Sequence, residues 1–591
     1  MKMALIAIGL FMMLMFAVLV IKVNIYNQPS FVLEEATIES VHTAIKKRQI
    51  TCEQLVSAYI SRIKEFNLSV GSKASINAIA RINVNVLDQA RELDNKLKNG
   101  EAMGPLFCIP VLLKDNIDSY DSPSTSSSLS MLGNQPIHDA FLTKKLRDAG
   151  AVIFGKGTMD EFASGVSGIS GGSGRTGNVY DTSKNSGGSS SGSATAVSAN
   201  FVMIGIGTDN NGSVRIPAAF NGIFGLRPTP GLISQNGIFP RGNLNGTAGP
   251  LARTAEDLAI VLGVIAQPDV NDKKTLNIPR EQSYATYLNQ NALKGKRIGV
   301  IHHLGKFDTF KDMPQDTAYI FEHSLEKIQA MGVIILPEIN LPKFNFESRL
   351  NQAGEKEDIN TYLASYPAVR EDYYDICESE RTRVFGSTVE CLQFVRSLPK
   401  KYGPQYQKML TIFKQNKIYI EDVMDEYRLD ALLIPVSSTG SATYASAAML
   451  NESLASNAGL PGITINLAYT NSGSLPIGVE LIGKQFSEGK LIGMAYAYEK
   501  HVLHRKLPQM PERNKGLENF DIAQYNNLLS NIGYHAYMNV LIKCKPDKFS
   551  QCLTPEIFQG IVQAEISDVN IASSAVKKEV VGQRKALCQT N

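Results

Sequence analysis

The chain has 591 residues, 43% of them apolar, so it can bury a large core and is not a disordered chain. Lys plus Arg number 59 against 56 Asp plus Glu, a net charge of +3. The longest basic clusters, Lys46-Lys47-Arg48 and Lys400-Lys401, are too short to form an electrostatic footprint for nucleic acid.

In chain order, the first feature is an uncharged apolar run from Met3 to Ile21, flanked by Lys2 and Lys22. Its length suits a signal-peptide core or a single membrane span, and no small-x-small cleavage site lies near Val18 to Asn24. Residues 1–28 therefore read as a signal or, preferably, an uncleaved anchor. The expected location is export or membrane attachment through residues 3–21, facing the periplasm or the cell exterior. Thr51-Cys-Glu-Gln54 is a capping-box helix start, followed by Leu55, Tyr59, Ile60 and Ile63 at helical spacing. Val86 to Asn99, closed by Gly100, is a second helix. Phe107 to Leu113 reads as a strand that delivers Lys114-Asp115-Asn116. The serine-rich stretch Ser122 to Ser130 follows directly, as an ordered loop beside that segment or a floppy one. Asp139 is expected to cap a helix ending at Gly150, with a short strand at Ala151 to Phe154 behind it.

Ser186 to Phe220 is the densest stretch. A Gly/Ser turn at 187–192 feeds an alanine-rich, serine-started helix at 193–199. Phe201 to Ile206 reads as a buried strand, and Thr208 to Ser213 as the turn at its carboxyl end, where reactive groups of open α/β sheets collect. Helix, glycine and strand return at Asp316 to Pro337, and Ala431 to Pro435 is a further strand. Alternating helices and apolar strands predict an α/β sheet covered on both faces. From about Pro508 the chain becomes a polar, mostly helical extension to residue 591, set apart from a main domain at 31–507.

No Cys-x-x-Cys or His-Glu-x-x-His occurs, so a metal site has no support, and a serine hydrolase would use no cofactor. Cys52 and Cys108 read as buried thiols. Cys377 with Cys391, and Cys544 with Cys552 or Cys588, are close enough in sequence to pair. A serine nucleophile needs a base, and no histidine lies between His138 and His302. Lys114, emerging from the apolar run Ile109 to Leu113, can serve if burial keeps it neutral. Gly188-Ser-Ser190-Ser-Gly192 also matches a nucleophile elbow, but Val179 to Asn185 is a poor strand to precede one.

Three segments together resemble the amidase signature family: Gly104 to Ile117 (GPLFCIPVLLKDNI), Ser186 to Ala194 (SGGSSSGSA) and Gly207 to Pro217 (GTDNNGSVRIP). The separations of 75 residues from Lys114 to Ser189 and 24 from Ser189 to Ser213 fit that family's Lys, bridging Ser and nucleophilic Ser. Gly155 to Phe162 and Gly222 to Pro228 extend the likeness, which covers roughly residues 35–505. The resemblance implies a large mixed β-sheet covered by helices, with the apolar N-terminal segment and helical C-terminal extension as additions. It implies Ser213 as nucleophile, Ser189 on a cis peptide bond as relay, and Lys114 as the neutral base. The backbone N–H groups of Asn210, Asn211, Gly212 and Ser213 would form the oxyanion hole, braced by Asp209 and Arg215. Asn211 replaces a glycine found in many members; asparagine tolerates positive φ, and its side chain should alter the pocket. The Asn211 and Ser191 variations look most like the bacterial peptide amidase branch, acting on C-terminally amidated peptides. The expected partner is a small-molecule or peptide amide; the motifs are silent on oligomeric state. The alternatives are a fatty-acid amide hydrolase at a membrane, a glutamine-dependent transamidosome component, disfavoured by export, and a non-catalytic binding protein on the same fold.

Overall fold

In a computed structural model, residues 31–69, 74–382, 387–439, 442, 453–471, 475–502, 505–514, 516–543 and 553–567 are described. The apolar run at 3–21 and Cys544, Cys552 and Cys588 lie outside them. Among the described residues no helix is long and apolar enough to cross a membrane.

One twelve-stranded sheet organises the chain. Its strands are β1 (Ile79–Ile82), β2 (Pro110–Lys114), β3 (Val152–Gly157), β4 (Ile204–Asp209), β5 (Phe224–Arg227), β6 (Thr247–Ala252), β7 (Arg297–Leu304), β8 (Phe307–Asp308), β9 (Ile334–Leu341), β10 (Ala431–Pro435), β11 (Gly462–Tyr469) and β12 (Pro476–Ile482). The order is β1-β3-β2-β4-β6-β5-β11-β12-β10-β7-β8, with β9 on β7. The sheet is mixed, as expected. Parallel pairs join β2 to β3 and β4, while β4 to β6 and β11 to β12 are antiparallel. Every residue of β2, β3, β4 and β6 is buried, the pattern of strands covered on both faces.

The alanine-rich helix expected beside β4 is present as α1 (Ser191–Ser198), buried at every residue. Its small side chains have a steric cause: a Cβ on Gly192 would stand 2.2 Å from Thr158 N, and one on Gly205 of β4 2.8 Å from Ser193 O. Backbone packs on backbone at these two positions, and only glycine fits there. The Thr51 capping box is formed. Asp139, by contrast, caps nothing: the helix Phe141–Asp148 has Ala140 at its N-cap without a side-chain bond, and Asp139 instead accepts from Arg147 Nε at 2.8 Å. Ser190, at the N-cap of α1, likewise makes no capping bond.

Cys52 and Cys108 are not free thiols but a disulfide, and a second bridge joins Cys377 to Cys391. The first was missed because its halves lie 56 residues apart, whereas the 14-residue separation of the second is visible in the sequence. The C-terminal extension packs on the main body. In its helix α2 (Ile522–Lys543), Asn526 accepts from Ile82 N at 2.8 Å and donates to Ile82 O at 2.7 Å, so one side chain satisfies both polar groups of the edge strand β1 at that residue. Gly533 of the same helix lies so close to Gly172 that a Cβ would meet its carbonyl oxygen at 2.2 Å.

Candidate active site

Strands β2 and β4 run parallel with Leu113 opposite Ile206, which brings their carboxyl ends side by side. Lys114, the last residue of β2, consequently meets Thr208 near the end of β4. Its Nζ lies 2.9 Å from Thr208 Oγ1 and 3.2 Å from Thr208 O. The same nitrogen is 2.7 Å from Ser189 Oγ. Lys114 is fully buried, and burial drives its pKa down to about 7 against the opposing pull of Asp160 and Asp209. A large fraction of this lysine is therefore neutral near pH 7, as a proton acceptor must be.

The loop that carries Ser189 is fixed from several sides. The Gly188–Ser189 peptide bond is cis. Asp160 N donates to Ser189 O at 3.2 Å, and the Asp160 carboxylate accepts from Gly168 N at 2.9 Å and Ser167 N at 3.1 Å. Ser190 N donates to Ser213 O at 3.0 Å, so the residue after Ser189 is tied directly to Ser213. The Ser190 hydroxyl sits 3.3 Å from both Thr208 O and Thr208 N, bracing the end of β4. No strand precedes it, which removes the structural basis of an elbow nucleophile at Ser190.

Past β4 the chain turns through 210–214 around Asp209. Asp209 Oδ1 accepts from Gly212 N at 2.9 Å and Oδ2 from Val214 N at 3.1 Å. Arg215 binds the same carboxylate at 3.0 and 3.1 Å, and Arg227 at 3.0 Å. Burial raises the Asp209 pKa, but the two guanidinium groups outweigh it and hold the carboxyl well below the usual carboxylate range. Arg215 also pairs with Glu480 of β12 at 2.6 and 2.7 Å. Two cations and two anions thus share a site without solvent, each partnered. Asp209 and Arg215 stand under the turn.

Two expectations about the oxyanion cradle change. The Gly212 N–H donates inward to Asp209 Oδ1 at 2.9 Å, so it is engaged and drops out of the expected set of oxyanion donors. The positive φ of the turn, +88°, falls on Gly212 and not on Asn211, so the asparagine needs no special tolerance. The Asn210 side chain turns away, donating to Arg241 O at 2.8 Å and Gly242 O at 2.9 Å.

Several contributors went unassigned in the sequence. Thr208, Asp160 and Arg227 each lie inside segments that carried the resemblance, so their positions were visible although their roles were not. Glu480 lies 265 residues from Arg215, with nothing local to mark it. The serine-rich stretch is an ordered loop: Ser127 N donates to Asp115 Oδ2 at 2.8 Å, and Ser122 and residues 124–131 are all buried. An aromatic group borders the site, with Phe239 centred 5.3 Å from Phe162 and 5.1 Å from Tyr362, and Phe239 N donating to Asn116 O at 2.8 Å.

The amidase family model matches residues 54–492, a span that contains every residue of this constellation. The chain belongs to the amidase family. As a family member it is a hydrolase acting on amide carbon–nitrogen bonds. It is 30% identical over 510 residues to the "Probable amidase" of Arabidopsis thaliana, covering 81% of this chain and 92% of the relative. It is 32% identical over 497 residues to a glutamyl-tRNA(Gln) amidotransferase component from Microcystis aeruginosa, covering 80% of this chain and 99% of the relative. The crystal structure of the peptide amidase from Stenotrophomonas maltophilia superposes with a TM-score of 0.72 at 30% identity, over 81% of this chain and 99% of that one. The amidase fold expected from the three motifs is thus the fold observed.

Proposed function

We propose that this amidase hydrolyses linear carboxylic amides, with C-terminal peptide amides as the preferred substrate class, through an acyl-enzyme on Ser213. The observation that carries the reading is the 2.7 Å contact between Ser189 Oγ and the buried, near-neutral amine of Lys114. In the first step the Ser213 hydroxyl proton passes to Ser189 as the Ser189 proton passes to Lys114, and the freed Ser213 oxygen attacks the amide carbonyl. Backbone N–H groups of the 210–213 turn other than that of Gly212 receive the oxyanion. The proton on Lys114 then returns through Ser189 to the departing amine. A water molecule releases the acid by the same relay run again.

The preference for peptide amides is supported by the likeness to the Stenotrophomonas peptide amidase across nearly its whole length. Similarity to glutamyl-tRNA(Gln) amidotransferase components favours a second reading, in which the same relay releases ammonia from glutamine for a partner. A panel of peptide amides, fatty amides, simple aryl amides and glutamine, assayed by ammonia or amine release, separates them. Turnover of peptide amides alone supports the first; turnover of glutamine alone supports the second. We also propose, from the apolar run at 3–21, that the enzyme is exported or membrane-tethered; recovery in the soluble cytosolic fraction would count against it.

A further inference from the structure

A cavity of about 200 Å³ lies on the seam between the family-matched body and α2 of the C-terminal extension. Buried Ile79 and Leu129 form its apolar side, and exposed Ser530 and Tyr534 of α2 form its rim. Among the described lining residues Arg81 is the one charged side chain. Its guanidinium is poorly satisfied. Nη2 reaches Thr125 Oγ1 at 3.4 Å and Asp115 Oδ1 at only 3.9 Å, while Nε is buried without a hydrogen-bond partner. Asp115 answers that demand only loosely: its Oδ2 is taken by Thr125 Oγ1 and by Ser127 N at 2.8 Å, and its Oδ1, itself without a hydrogen-bond partner, stops 3.9 Å from Nη2.

A buried donor left unpaired is costly, and the planar fork of a guanidinium is matched best by a carboxylate that accepts two parallel bonds. The apolar side of the cavity suits a short hydrocarbon tail. Its volume is below the roughly 300–1,000 Å³ of sites for drug-sized ligands, so the ligand must be small. We propose that this seam is a second binding site, separate from the Lys114 centre, for a small monocarboxylate with a short apolar tail. Arg81 holds the carboxylate, and the C-terminal extension completes the wall. Because residues 522–543 lie outside the family match, the site is built partly from sequence that the match does not include.

The test is calorimetric titration of the full chain with hexanoate, 1-hexanol and inorganic phosphate. The same titrations are made on Arg81→Met, which removes the charge, and on Ser530→Phe, which fills the cavity from the extension and leaves Arg81 in place. Circular dichroism confirms which variants fold. The expected result is saturable hexanoate binding to the wild type, weakened about tenfold or more in each folded variant, with neither hexanol nor phosphate binding comparably. The proposal is overturned by absence of hexanoate binding, or by unchanged affinity in either folded variant, which would place the acid elsewhere. Equal binding of hexanol or phosphate overturns it too, since the site would then read only the tail or only the charge.

Discussion

Asp209 and Arg215 meet through two hydrogen bonds, Oδ2 to Nε at 3.0 Å and Oδ1 to Nη2 at 3.1 Å, with neither side chain exposed to solvent. The pair holds the ends of the turn that presents Ser213, since the same carboxylate fixes the backbone at Gly212 and Val214. Replacing Asp209 by Ala leaves Arg215 with Glu480 and takes from Arg227 its carboxylate partner. Removing one partner from a buried ionic cluster costs about 3–5 kcal/mol. Chemical denaturation should show a loss of that order, together with loss of amide hydrolysis. Wild-type stability in the variant would mean that the cluster does not carry the turn.

Gly188 has no room for a side chain. A Cβ there would stand 1.9 Å from Asp160 Oδ2, and the Asp160 carboxylate cannot retreat without releasing the 167–169 backbone it holds. Gly188→Ala is expected to destabilise by about 1–3 kcal/mol and to lower kcat far more than KM, because Ser189 moves relative to Lys114. Steady-state kinetics with a peptide amide provides the check.

The pH dependence follows from Lys114. The amine accepts a proton only when neutral, so kcat/KM should rise with pH through about 7 and fall away below it. Stability has a related sign. The folded pKa of about 7 is below the unfolded value of about 10.4. Between these values the unfolded chain binds more protons, so the Lys114 contribution to stability increases with pH across that window. Lys156, pushed down by burial to about 8, acts in the same direction, which makes a difference measurement necessary. Lys114→Met should therefore raise the melting temperature most below pH about 7, with the gain closing as pH approaches about 10. A gain that does not change with pH would contradict a buried, depressed lysine.

The disulfides give a separate prediction. Peptide mapping without reduction should recover Cys52 linked to Cys108 and Cys377 linked to Cys391. Replacing both cysteines of either bridge by serine should cost about 2–4 kcal/mol in chemical denaturation. The 52–108 bridge should matter at least as much, because it closes the longer loop.

What could be read from the sequence was local. Apolar runs and turn residues located β2, β4, α1 and β10, and the glycine, serine and lysine motifs located Lys114, Ser189 and Ser213. Boundaries slipped where the deciding contact was distant. The strand expected at 201–206 starts at Ile204 and continues through Asp209, since pairing with β6 runs from Ile204–Ala252 to Asp209–Thr247. The direction of the Gly212 N–H was set by an aspartate whose charge state depends on Arg227 and, through Arg215, on Glu480, neither of them adjacent in sequence. Asp139 looked like a cap from its position but was claimed by Arg147, eight residues on. Long-range partners of this kind leave no periodic trace.

In the proposed reaction Ser213 is the residue whose oxygen becomes acylated. Treatment of the full chain with a fluorophosphonate probe, followed by mass spectrometry of the peptides, tests it most directly. A single covalent adduct on Ser213 is expected, formed in the wild type and lost in Lys114→Met at pH about 7, with the fold intact by circular dichroism. An adduct on Ser189 or Ser190, or an active enzyme that takes up no probe, would contradict it.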